Sequence, residues 1–462
     1  MLVTLSDWLW SYLLIGSLLL VGLRCSIGSS WIQLRFFGRM FALLKSGRTG
    51  STERGISGFQ ALVVSVAGRV GGGNIAGVAV AITLGGPGAL FWMWLIAILG
   101  MATSVFECAL AQLFKRKLAD DDFRGGPAYY MHFGLGWRWL PLLYSALLLI
   151  TIGLGFNAVQ AYSVTHSVES AFGIPTHLSG WVLTAVMTVV VFGGIRRVAI
   201  FSEVIVPIMV LGYFALALLV LLQNIDAIPA AFASILSSAF GLEQAAGGGI
   251  AAAINQGARR GLFSNEAGLG TAPNVAAVAD IAHPVSQGLI QALSVFIDTL
   301  VLCTCTALII VLSPVYQPGS AGVEGIALTQ LALASHVGPW GEVLVSLALV
   351  MFAVSSIAYN CYLGENSIAY FADGHYRRFA INGFRVAVMV LIAWASVQDL
   401  GTVFSFSDLT MGLLAVVNLL ALWRLYPIGI RLLKDFEMHW QGSEPRFDPS
   451  RLSGIKVDPN SW

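Results

Sequence analysis

Residues 59–82 form an apolar stretch long enough to cross a bilayer, yet its middle reads Gly71-Gly72-Gly73-Asn74-Ile75-Ala76-Gly77-Val78. Three consecutive glycines followed by asparagine are poor helix formers. In hydrocarbon a broken helix persists only where its freed backbone groups meet protein partners or line a water-filled cavity. A second interruption, Phe263-Ser264-Asn265-Glu266-Ala267-Gly268-Leu269-Gly270, lies about half a chain away. Breaks in corresponding spans are how many transporters build substrate and ion sites at mid-membrane.

The surrounding chain is 57% hydrophobic and only 11% charged, against about 25% charged in a soluble globular domain. That composition excludes a soluble enzyme and predicts an all-α integral membrane protein. Runs of about 20 apolar residues mark membrane helices. Eleven such runs are read, near 7–23, 59–82, 88–114, 138–167, 178–195, 198–222, 250–279, 285–313, 341–371, 380–397 and 402–423. They are too long, and alternate too little, for barrel strands.

Lysine and arginine orient the spans. One face receives Arg24, Arg35, Arg39, Lys45, Arg48 and Arg54, then Lys115, Arg116, Lys117, Arg124 and Arg138. It also receives Arg196 and Arg197, then Arg377, Arg378 and Arg385, and finally Arg424, Arg431 and Lys434. The opposite loops, near 83–87, 168–177, 223–249, 314–340 and 398–401, contain neither residue type. This asymmetry predicts a multi-pass protein of the cell (inner) membrane with its N-terminus outside and its C-terminus cytoplasmic. Only Arg69, Arg259 and Arg260 escape the rule, and each adjoins a break. The first run lacks a basic start and is read as a retained helix, not a cleavable leader. Residues 29–45 are expected to lie on the cytoplasmic surface, and the polar tail from about Glu437 to be poorly ordered.

Setting the first span aside leaves five spans and then five, each half opening with a broken one. Because five is odd, the second half enters from the other side, which is an inverted repeat. The expected divisions are 1–58 (first helix and basic linker), 59–223 (first repeat), 224–425 (second repeat) and 426–462 (tail).

An unwound turn exposes N–H donors and positive helix dipole suited to a carboxylate, while its free carbonyls suit sodium. Together the two breaks could hold a zwitterion and a cation. The plain alternative is that glycines serve close helix packing. Carboxylates within spans are costly and usually functional or paired, which singles out Glu107, Glu203, Glu266, Asp298 and Glu365. Asp298 is read either as an interior anchor or as a coupling residue, and Glu203 as a structural partner near Arg196. Arg69 cannot deprotonate. It is read as a fixed charge with a coupling role, taking the place of a cation or pairing with Glu266 or Asp298, or as a side chain reaching an aqueous vestibule. The run Phe91–Trp94 reads as an interfacial aromatic belt. The cysteines read as packing residues. The histidines lack metal spacing, and His132, His283, His375 and His439 are expected to be solvated.

Pro87-Gly88-Ala89-Leu90-Phe91-Trp92-Met93-Trp94-Leu95-Ile96-Ala97-Ile98-Leu99-Gly100 resembles the signature of the sodium:alanine (or glycine) symporter family. Four further segments are similar to that family in the same order: Gly73–Ala79, Gly125–Met131, Arg260–Gly268 and Phe296–Thr299. The resemblance runs from about residue 55 to 425. It implies a LeuT-like 5+5 inverted repeat with one extra N-terminal helix, and sodium-coupled import of a small neutral amino acid by alternating access. It further implies sodium held by carbonyls of Ala67 and Val70 with hydroxyls of Ser355 and Ser356. The amino acid would meet Gly71, Gly72, Gly73 and Asn74 on one side. Phe263, Asn265, Glu266, Gly268 and Gly270 would line the other, with Gln160, Asn157, Ser356 and Asn360 contributing. No cofactor is implied beyond the co-transported sodium ion, no nucleic acid is a partner, and one subunit should suffice. Ser355 and Ser356 could instead bond back to their own helix.

Two departures bear on substrate. The family commonly has Thr where this chain has Gly72, and Trp where it has Asn360. Both changes are read as opening a roomier, more polar pocket, which brings glutamine or serine into range beside alanine and glycine. Proton coupling on the same fold, through Asp298 or Glu266, is the alternative. A membrane enzyme or nutrient sensor is disfavoured, since no HExxH, GxSxG or Walker sequence and no large soluble domain is present. A channel is disfavoured because no filter-like repeat is visible.

Overall fold

The computed structural model describes residues 2–46, 56–117, 123–192, 195–241, 249–317, 325–372, 374–440, 442 and 444–462. Nearly all of them are helical, as backbone groups in hydrocarbon require. The chain begins with α1 (Val3–Gly28), α2 (Ile32–Arg35), α3 (Phe37–Ser46) and α4 (Gly58–Arg69). Next come α5 (Gly73–Gly85), α6 (Ala89–Leu113), α7 (Trp139–Phe172), α8 (Thr176–Val191), α9 (Ile195–Gln223) and α10 (Ile228–Ala239). The second half holds α11 (Gly249–Asn265), α12 (Ala272–Ala276), α13 (Pro284–Val311) and α14 (Ile326–Val337). It closes with α15 (Trp340–Phe371), α16 (Gly374–Ala395) and α17 (Leu400–His439).

Among the described residues, eight helices are long and apolar enough to cross a membrane alone, and α4 with α5, bent by 55°, is a ninth candidate span. The two remaining expected runs look different. Residues 178–195 yield the 16-residue α8, and 250–279 divides into α11 and α12 around the second break. The segments expected as plain outer loops carry α10 and α14. Trp92 Nε1 donates to Ala239 O at the end of α10 (3.2 Å), and Trp94 Nε1 to Thr304 Oγ1 (2.8 Å). The aromatic run therefore also locks α6 to its neighbours.

Two short strand pairs tie the ends of the helices. β1 (Ile56–Ser57) runs parallel to β4 (Ala279–Asp280), and β2 (Arg116–Lys117) antiparallel to β3 (Phe123–Arg124). Ser57 then starts α4 through a reciprocal cap with Gln60, satisfying two of the helix's free donors. The cysteines are all buried and free.

Residues 29–45 fold as α2 and α3, entered from α1 through left-handed Ser30 and Trp31 (φ 52° and 58°). They are not merely surface-bound: Phe36 and Met40 are buried, and Phe37 packs edge-on to Phe296 at 4.9 Å.

The tail departs furthest from expectation. Instead of fraying at Glu437, α17 continues to His439, and the chain beyond folds back onto the protein. Phe447 N donates to Ala282 O (2.9 Å), and Phe447 and Leu452 are buried. Arg431 donates to Ser453 O (2.7 Å), and Lys115 Nζ sits 4.1 Å over the Trp462 ring. His283 is fully buried, bonded to Asp435 (3.2 Å) and edge-on to Phe447. It is not solvated, and its burial lowers its affinity for a proton below the ordinary value of 6.5. His132 is also engaged, stacked on Phe133 and bonded to Tyr370 (2.9 Å). His439 does remain partly exposed, beside Asp435. The side chains of Arg196, Arg197, Glu203 and His375 lie outside the described residues.

Candidate functional site

Helix α4 stops at Arg69, where Val70 becomes extended (φ −74°, ψ 99°), and Gly73–Gly77 resumes as a π-helical turn. The glycines are dictated by close approach. A Cβ on Gly71 would lie 2.4 Å from Gln160 Nε2, on Gly72 2.6 Å from Ser163 Oγ, and on Gly73 2.6 Å from the Phe263 ring. The break is therefore gripped by α7 on one side and α11 on the other. Its freed donors point at side-chain carbonyls: Gly72 N–H donates to Gln160 Oε1 (2.8 Å) and Gly71 N–H to Asn74 Oδ1 (2.9 Å). These are the donors expected to receive a substrate carboxylate. Gly72 does not open a void, because Ser163 occupies the space its side chain would take.

The second break follows Asn265, with Glu266 (φ 54°), Gly268 (φ 95°) and Gly270 (φ 82°) in left-handed backbone. Glycine adopts that region without strain, whereas at Glu266 it is uncommon. The freed groups meet scaffold side chains. Gly268 N–H donates to Glu107 Oε1 (3.3 Å), and Asn418 Nδ2 donates to Gly268 O (2.9 Å) and Glu107 Oε2 (3.1 Å). Tyr144 donates to Gly270 O (2.9 Å), and so does Asn274 (2.8 Å). Asn265 Oδ1 accepts from Ala267 N–H (2.9 Å). Among the described residues, Asn265, Gly268 and Gly270 form no hydrogen bond to the first break. Phe263 and its neighbour Ser264 are the part of this segment that reaches it.

Asn74 joins the two breaks. Its Nδ2 donates to Asp298 Oδ1 (2.7 Å) and Ser264 Oγ (3.3 Å). Ser264 in turn donates to Asp298 Oδ2, as does Thr299 (2.8 Å). All four side chains are buried. Asp298 lies in a π-helical stretch, Phe296–Cys303, a distortion frequent at functional sites. Arg69 makes no ion pair among the described residues. It donates to Ser294 Oγ and Gln291 O on α13, and stays within electrostatic reach of Glu107, Glu266 and Asp298. Glu266 is buried, and its Oε2 has no hydrogen-bond partner among the described residues.

On the other side of α4, the four residues expected around sodium converge. Ser355 Oγ donates to Ala67 O (3.1 Å), and Ser356 Oγ donates to Ala67 O (3.1 Å) and Val70 O (3.2 Å). Ser355 also bonds back to Phe352 O (2.9 Å). A hydroxyl carries lone pairs as well as a proton, so rotating each O–H would turn this cluster into an all-oxygen donor set. One turn beyond Ser356, Asn360 Nδ2 donates to Asn157 Oδ1 (2.9 Å). Asn360 Oδ1 is buried with no partner among the described residues.

A layer not anticipated from sequence lies beside Phe263. Phe156 and Phe404 flank its ring at 4.3 and 5.9 Å. Beyond them Arg260 sits 4.7 Å over Phe404 and pairs with buried Asp408. Arg259 pairs with Asp7 (2.6 Å) and Asp408 (3.6 Å). The signal available was Asp408 itself, a carboxylate inside the apolar run 402–423.

Residues 1–449 match the model of the Sodium:alanine symporter family. The "Probable sodium/glutamine symporter GlnT" of Bacillus subtilis is 43% identical, across 99% of this chain and 95% of its own. The "Putative sodium/proton-dependent alanine carrier protein YrbD" of the same organism is 40% identical, across 97% and 94%. The "Sodium/alanine symporter AgcS" of Methanococcus maripaludis is 34% identical, across 94% and 96%. In fold the chain is similar to a manganese transporter of Eremococcus coleocola, with a TM-score of 0.52 at 15% identity over 82% of this chain and 78% of that one. This is a multi-pass membrane protein of a transport family rather than an enzyme family. The chain belongs to the sodium:alanine symporter family.

Proposed function

We propose that the protein is a sodium-coupled symporter that imports a neutral amino acid through a site between the two breaks. The observation that carries this reading is the convergence of Ser355 and Ser356 on the carbonyls of Ala67 and Val70, one residue from Gly71. Sodium entering that cluster would replace the hydroxyl-to-carbonyl bonds and fix the turn that presents Gly71 and Gly72 N–H. An amino acid carboxylate would then displace Gln160 Oε1 and Asn74 Oδ1 from those donors, which couples the two ligands through one turn.

Within this reading the chain is organised as two five-helix repeats of LeuT-like fold, 59–223 and 224–425. They follow the extra helix and basic linker (1–58) and precede the cytoplasmic segment 426–462, in which α17 first runs on to His439. The N-terminus is outside. Residues Gly71, Gly72, Gly73, Asn74, Asn157, Gln160, Phe263, Ser356 and Asn360 contact the amino acid. Glu266, Asn265, Gly268 and Gly270 shape the second break. Phe156, Phe263 and Phe404, capped by Arg260 and Asp408, close the outer side.

The buried, unpartnered Oδ1 of Asn360 favours a substrate whose side chain donates a hydrogen bond, because an unmet buried acceptor costs about 1–3 kcal/mol. Glutamine satisfies that acceptor and alanine does not. The test is competition for labelled glutamine uptake by unlabelled glutamine, serine, alanine and glycine. Glutamine and serine ahead of alanine and glycine supports this substrate reading, and the reverse order defeats it.

Proton coupling is the second reading, favoured by the unpartnered Oε2 of Glu266. Uptake that persists without sodium but collapses with a protonophore would establish it.

A further inference from the structure

A cavity of about 580 Å³ opens beside α16, lined by Phe192, Glu365, Arg377, Arg378, Asn382 and Arg385 among others. It lies away from the two breaks, and the transport reading uses none of these residues. Three guanidinium groups converge on it against one carboxylate. Glu365 Oε1 accepts from Arg385 Nε at 2.6 Å, which neutralises one of the three. Among the described residues, Arg377 and Arg378 have neither an ion pair nor a hydrogen bond. The helix keeps the cations close: Arg377, Ile381 and Arg385 follow at four-residue intervals, and so do Arg378 and Asn382, so each set shares a face. Two unneutralised arginines one residue apart repel each other unless an anion joins them.

The surroundings of the cavity point to the kind of anion. Phe192, at the end of α8, is held under the Arg385 guanidinium at 5.2 Å. Tyr376 and Phe379 are 81% and 77% exposed, as aromatic side chains at a membrane–water boundary are. Below them the outward sides of α8 and α16 are bare and aliphatic, with Val186, Val189, Val386 and Val390 all exposed. The pocket sits at the end of α15 whose Asn366 donates to Gly125 O (3.4 Å), on the same face as the basic β2–β3 hairpin. Cations at one end of two helices whose outward sides are aliphatic match a phosphate that carries acyl chains. Basic pockets between membrane helices on the cytoplasmic side bind such headgroups.

We infer that this cavity binds the headgroup phosphate of an anionic phospholipid, with Arg377 and Arg378 as its charge partners, Asn382 as a hydrogen-bond donor and Arg385 as the positioned third cation. The acyl chains run down the groove between α8 and α16. Glu365 orients Arg385, and the two unneutralised arginines favour a lipid that brings net negative charge.

The test is native mass spectrometry of the full-length protein with phosphatidylglycerol or phosphatidylcholine in matched detergent. The wild type should retain phosphatidylglycerol preferentially. The R377Q/R378Q variant should bind it about 25-fold more weakly, from roughly five-fold per basic side chain. R377K/R378K, which keeps the charge, should stay within about three-fold of wild type. Both positions are solvent-accessible, and unchanged thermal unfolding of the two variants verifies that they fold. Equal retention of the two lipids by the wild type would overturn the inference, as would undiminished phosphatidylglycerol binding in R377Q/R378Q. Inorganic phosphate that occupies the site as tightly as the lipid would overturn the phospholipid assignment in favour of a free anion.

Discussion

Asn74 donates to Asp298 at 2.7 Å while accepting from Gly71 N–H at 2.9 Å. One amide thus closes the turn of the first break and ties it to α13, and Ser264 brings the second break to the same carboxylate. Asn74→Ala removes a donor from buried Asp298 and an acceptor from Gly71. Unmet buried groups cost about 1–3 kcal/mol, so uptake should fall roughly tenfold or more, with a lowered unfolding temperature. Asn74→Asp should be worse for uptake, because it sets two carboxylates side by side. Initial uptake rates and thermal unfolding of the purified variants check both.

Ser356 and Ser355 should not be equivalent. Ser356 Oγ reaches both Ala67 O and Val70 O, whereas Ser355 Oγ divides between Ala67 O and its own helix at Phe352 O. Ser356→Ala should raise the sodium concentration for half-maximal uptake by about tenfold, equivalent to about 1.4 kcal/mol, and Ser355→Ala by less. A sodium titration at saturating amino acid reads the difference. Equal shifts would mean that the two hydroxyls act alike.

Arg260 and Asp408 form a buried ion pair beside the Phe263–Phe404 layer. Removing one partner strands a buried charge and costs about 3–5 kcal/mol. Asp408→Asn should therefore lower thermal stability sharply, while R260Q/D408N should recover part of the loss. Non-additivity in that double-mutant cycle is the signature of the pair.

The docked tail should respond to pH. Burial holds His283 below its ordinary value of 6.5, with Asp435, His439 and Arg451 nearby. The undocked histidine then binds protons more readily than the docked one, so docking is strongest above about pH 6.5 and weakens as pH falls through it. Limited proteolysis of residues 440–462 should accelerate at acid pH, and His283→Gln should flatten that dependence. Phe447→Ala should expose the tail at neutral pH as well.

The contrast between the tail and the breaks shows what a sequence can express. Gly71–Asn74 was legible because local propensity alone forbids a continuous helix there, and Asp298 because a carboxylate inside an apolar run is costly. The grouping of Ala67, Val70, Ser355 and Ser356 came from family resemblance, and the structure does bring those four together. The His283–Asp435 contact spans 152 residues, and nothing local in the polar, proline-containing tail signals where Phe447 will dock. The same holds for Asn418 and Glu107, which satisfy Gly268 across 150 and 161 residues. Backbone needs of that kind are met by whichever side chain the fold brings near. Of the readings open for Arg69, pairing with Glu266 or Asp298 is not what the structure shows: a serine hydroxyl and a backbone carbonyl accept from it instead.

The central claim is that sodium at Ala67, Val70, Ser355 and Ser356 and an amino acid at Gly71–Asn74 move together. The most direct measurement is uptake of labelled glutamine and alanine into proteoliposomes holding the purified protein, with and without an inward sodium gradient. The account predicts accumulation only with the gradient, and its loss when sodium is equalised across the membrane with no potential imposed. Accumulation of the same size in sodium-free medium would contradict it.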